Sequence, residues 1–109
     1  MDDNIEAIES GYEYLLAYAA QGRQNDNGTE VRSTLTAMSD AAVSIIETLT
    51  GDSDEFSTVI VDDARKAGAA IKLVLRQEQI SSEMVDNLNA SIHLRALLTD
   101  LFLISETSS

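Results

Sequence analysis

Apolar side chains recur along this chain at helical spacing, with polar residues filling the positions between them. Ile5, Ile8, Tyr12, Leu15 and Ala19 follow at intervals of 3, 4, 3 and 4, which places them on one face of a helix over about residues 4–21. Asp3-Asn4-Ile5-Glu6 reads as its capping box and Gly22 as its stop. Val31, Leu35, Met38, Ala42, Ile45 and Leu49 form the cleanest stripe and predict a second helix over 30–50, capped by Thr29 and closed by Gly51. Phe56, Val59/Ile60, Asp63, Ala67, Ala70/Ile71 and Val74 predict a third over 55–78, with Asp52 as N-cap and Glu55 completing a capping box. Its middle, Ala64, Ala67, Gly68, Ala69 and Ala70, is small enough for close approach to a neighbour.

The fourth helix is expected over 82–104, started by a serine cap after Gln79-Ile80. It differs from the others. Met84, Val85, Leu88 and Ile92 make a core stripe whose next positions are Arg95 and Thr99, while Leu94, Leu97, Leu101 and Ile104 open a second stripe on another side. That apolar surface is wider than the stripe of an ordinary surface helix. The reading is that the second stripe is a contact face. Gly11, Tyr14 and Tyr18 form a comparable face on the first helix, and the two could be continuous. The tail 105–109 is polar and expected to fray.

Four helices with short connections predict an all-α single domain over 1–109, an antiparallel up-down-up-down four-helix bundle. Composition agrees: there is no proline, and there are only 5 glycines for turns. With no cysteine, disulfides and thiolate chemistry are excluded. No apolar run reaches the length of a membrane span, and the acidic start Met1-Asp2-Asp3-Asn4 lacks the basic region of a signal peptide, so the expected location is cytoplasmic. A formal charge of −12 disfavours nucleic acid and anionic lipid as partners.

Candidate chemistry is sparse. Asp63 and Arg95 both interrupt apolar stripes and fall nearly level in a hairpin of the third and fourth helices, which predicts a structural ion pair between them. His93 is the one histidine. Histidine-phosphotransfer domains are bundles of this size, but they show His, two residues, then Lys-Gly. Here His93-Leu94-Arg95-Ala96 places a base two positions on and has no glycine. One histidine cannot supply a di-iron centre. The segment Gly22–Gly28 fails as a calcium loop because Arg23 and Thr34 would fall at ligand positions. Glycine-rich phosphate loops are absent. The expectation is therefore a non-enzymatic protein with no catalytic, metal or cofactor residues, acting by protein–protein interaction. The preferred form is a self-associating homodimer with Tyr14, Tyr18, Leu94, Leu97, Leu101 and Ile104 as its contact residues. A chaperone or antagonist that masks a basic or aggregation-prone partner comes second. A phosphotransfer-like role for His93 comes third.

Overall fold

Each apolar stripe finds a neighbour. The computed structural model describes residues 1–107 and is helical, with five helices among them: α1 (Asp2–Ala19), α2 (Val31–Leu49), α3 (Glu55–Leu75), α4 (Ser82–Ala90) and α5 (Ile92–Thr107). α2 packs between α1 and α3, α4 packs mainly on α1, and α5 packs mainly on α3. Neighbours run antiparallel: Asn4 reaches Ser44, and the Glu30 N–H reaches the Tyr14 hydroxyl, at opposite ends of the α1–α2 pair. The core is made of the predicted stripes, with Ile8, Leu15, Leu35, Met38, Ile45, Ile60 and Ile71 all buried completely.

The boundaries follow local chemistry, with four shifts. The residue before α2 is Glu30, with no side-chain cap; Thr29, expected as the cap, only accepts the Val31 N–H at 3.4 Å. α1 begins at Asp2 with no side-chain cap, so the expected Asp3 capping box does not form. The cap of α3 is Asp54, whose carboxylate accepts the Phe56 N–H at 2.8 Å, while Asp52 braces the turn by accepting from the Asp54 N–H and the Ser57 hydroxyl. Ser81 caps α4 by accepting the Met84 N–H. Gly22 and Gly51 close α1 and α2 with φ of 66° and 88°, a left-handed conformation that costs glycine little. The frayed tail is corrected over 105–107, which continue α5; residues 108 and 109 lie outside the described residues.

The principal correction concerns the fourth helix, which is two. At Ser91 the backbone turns extended (φ −63°, ψ 138°), ending α4; one residue later α5 begins. Ser91 serves both sides of the break: its N–H bonds the Leu88 carbonyl, and its hydroxyl lies 3.5 Å from the Leu94 N–H as acceptor. The break rotates the chain. Leu94, Leu97 and Leu101 become fully buried, whereas Ile92, expected in the core, is 75% exposed. The single fourth helix expected from the sequence is thus two helices, α4 and α5.

Two glycines face close neighbours differently. A Cβ on Gly11 would sit 2.5 Å from Cγ and Sδ of Met38, whereas one on Gly68 would meet only the Cβ of Ala42 at 3.8 Å. Gly11→Ala is expected to destabilise the protein by about 1–3 kcal/mol through overpacking. Gly68→Ala should stabilise it by roughly 0.5–1 kcal/mol through helix propensity. Urea midpoints of the two variants check the opposite signs.

Candidate functional site

The residues expected to form a contact face are mostly inside. Leu94, Leu97 and Leu101 are core, and so is Tyr18, which has no exposed surface. Ile104 is half-buried against the core. Tyr14 is half-buried too: its ring stacks on Tyr18 at 6.3 Å between centroids, and its hydroxyl accepts the Glu30 N–H. Gly11 does admit a close helix, but that helix is α2 of the same chain. These corrections have two causes. A helix broken at Ser91 turns its second stripe inward, and the Gly11–Tyr18 face is consumed by α2 and the connecting loops.

Tyr18 is the centre of a polar clamp that periodicity did not indicate. Its hydroxyl donates to the Ile80 carbonyl and lies 3.2 Å from that of Asn25. Burial, reinforced by the negative charge of Asp26, raises its phenol above the ordinary tyrosine range. Asp26 accepts the Ile80 N–H at 2.9 Å and Nε of Arg32 at 3.0 Å. Those two bonds hold its carboxyl below the usual range. Arg32 then donates to the carbonyls of Leu75, Gln77 and Glu78, satisfying the exposed end of α3 where a cation also complements the helix dipole. Ser82 donates to the Tyr18 carbonyl and accepts the Arg23 N–H, and the Ser82 N–H donates to the Arg23 carbonyl. The only sequence signal for this clamp was the lone base in the otherwise Ser/Thr/Ala-rich flank of α2.

Asp63 and Arg95 are not brought together. Arg95 lies exposed on α5, and the group facing Asp63 is Asp100, five residues further on and only 7% exposed. The reason is again the rotation at Ser91, which carries Arg95 to solvent and Asp100 to the α3 side. One oxygen of Asp100 has no hydrogen-bond partner. Burial first, then the hydrogen bond and the charge of Asp63, push its carboxyl up to about 7. Below that value Asp100 keeps its proton and faces Asp63 as a neutral acid. Nearby, Asn89 is buried with both amide atoms unpartnered. His93 is exposed, and no group of three or more His, Cys, Asp or Glu among the described residues is placed to hold a metal.

Two apolar grooves flank α3. One, of about 390 Å³, runs along the α3–α4 seam over Ala70, Leu73, Val74, Met84 and Leu88, with Leu73 53% exposed. The other, of about 320 Å³, lies where α3 begins and α5 finishes, lined by Asp54, Phe56, Ser57, Leu103, Ile104 and Thr107.

The fold defines an all-helical protein, and no helix among the described residues is long and apolar enough to cross a membrane. No protein-family model, no curated protein and no solved structure matches the chain.

The acid pair has a signed pH dependence. The folded carboxyl of Asp100 holds its proton up to about pH 7, whereas the unfolded one releases it near the ordinary aspartate value of 3.8. Stability contributed by this group is complete below the lower value, falls as pH rises between the two, and is gone above the higher. Asp100→Asn cannot ionise. It should exceed the wild type by about 2–4 kcal/mol near pH 8, with the difference narrowing by about pH 5. Denaturant midpoints at the two pH values check this; an unchanged difference would remove Asp100 as the titrating group.

Proposed function

We propose that this is a small acidic cytoplasmic protein that acts without catalysis, as a self-associating regulatory or adaptor module with the outline of a four-helix bundle. The contact surface is the α3–α4 groove in place of the leucines of α5. The supporting observation is Leu73, half-exposed above a floor of Val74, Met84 and Leu88. Charge favours a second copy there. The groove's lining holds no charged side chain, so two copies of net charge −12 bring no like charges together inside it. A two-fold arrangement would place the same groove on both partners.

A second reading, capture of a basic partner, is favoured by the acids around the other groove. The phosphotransfer-like reading of His93 draws support only from its exposure.

Light scattering over a concentration series should report a dimer for the wild type and a monomer for Leu73→Glu, both folded by circular dichroism. Leu97→Glu, in contrast, should unfold the chain because the side chain is wholly buried. A wild type that stays monomeric at millimolar concentration would end the self-association reading.

A further inference from the structure

We propose that the end of the molecule where α3 begins and α5 finishes docks a basic, amphipathic helical segment of a partner protein. This rests on the reading of the chain as a protein-binding module, and not on its self-association.

The surface has an apolar centre and an acidic rim. Phe102 and Leu103 are each 50% exposed, and Leu103 borders the groove with Phe56, so both phenylalanines of the chain lie at this end. Asp54 lines the groove itself, the exposed acids Asp52, Glu55 and Glu106 belong to the same two chain segments, and neither 50–57 nor 102–107 contains a lysine or arginine. α1 adds Asp2 and Asp3 from the same end, held there by the Asn4–Ser44 bond to the half of α2 that leads into the turn before α3. Asp52 and Asp54 are already fixed by their bonds to the turn backbone and to Ser57, so little ordering remains to be done on binding.

These features select one class of occupant. The groove follows the seam of two antiparallel helices, which suits a third helix laying side chains at i, i+3 and i+4 into it. Extended peptides add to a sheet edge, and the described residues contain no strand. An acidic segment would meet only like charge at the rim, and a second copy, itself at −12, would be repelled there. A basic segment is attracted from a distance by the whole molecule and locally by the rim.

The test uses the full chain and three labelled peptides of about 18 residues: an amphipathic Leu/Lys helix, its Leu/Glu counterpart, and a scrambled Leu/Lys peptide without a continuous apolar face. The Leu/Lys helix should bind, with salt-sensitive affinity, at least about tenfold more tightly than the scrambled peptide, and the Leu/Glu helix should not bind. Phe102→Ser with Leu103→Ser should weaken binding at least about tenfold, Glu55→Gln with Glu106→Gln should weaken it and flatten the salt dependence, and Leu73→Glu should leave it unchanged. On the wild type, amide shifts should map to residues 52–57 and 102–107, which locates the site even if a variant folds poorly. Equal binding of the scrambled peptide, indifference to the Phe102/Leu103 change, or shifts elsewhere would overturn the proposal. Binding that follows Leu73 instead, or a dimer that persists without any peptide binding, would discard this surface and leave the module reading intact.

Discussion

The constraint on which this structure turns is that one core must be served by two apolar stripes that are out of phase. Leu94 follows Leu88 by six positions, which on a continuous helix would rotate the second stripe by about 120° away from the first. An unbroken helix could bury one stripe and would leave the other in water, at a loss of roughly 1.5–3 kcal/mol for each large side chain. The extended conformation at Ser91 removes the conflict. α4 leans on α1, α5 on α3, and Leu94, Leu97, Leu98 and Leu101 complete the interior. The residue sacrificed is Ile92, left three-quarters exposed.

A broken helix needs its upper half located independently, and the clamp around Tyr18 does so. Tyr18 and Asp26 hold both backbone groups of Ile80, Ser82 is tied to Tyr18 and Arg23, and Arg32 closes the end of α3. Each neutral bond contributes about 1 kcal/mol, and those of Asp26 and Arg32 more because one partner is ionised. Their greater effect is on specificity. A buried phenol stripped of its acceptor costs more than the bond contributes, so α4 has one position along α1.

The same rotation distributes chemistry over the surface. It moves Arg95 out and Asp100 in, exchanging an expected ion pair for two facing carboxyls, of which burial and Asp63 raise that of Asp100. It also leaves apolar seams on either side of α3, one lined by no charged residue and one bordered by Asp54. With Leu94, Leu97, Leu98 and Leu101 buried, these seams are among the places where this molecule keeps apolar area exposed.

Much of the architecture was legible in the residues. The stripes of α1, α2 and α3 are clean because each helix faces one core along its whole length, and Gly22, Gly51 and the serine cap mark ends by local rules that need no tertiary partner. The break was encoded too, in the phase slip after Leu88, but without glycine or proline to mark it. Periodicity alone equally permits a straight helix with a spare face. Which of these holds depends on whether α3 has room to receive Leu94, Leu97 and Leu101, and that is settled by packing. The facing acids Asp63 and Asp100 and the Tyr18 clamp likewise join residues 37 and 62 positions apart, through side chains whose neighbours exist only once the helices have assembled. Local periodicity thus determined the helices and most of the core. The direction in which α5 faces, and with it the identity of the exposed surfaces, was decided by the tertiary structure, because burial is a property of neighbours and not of spacing.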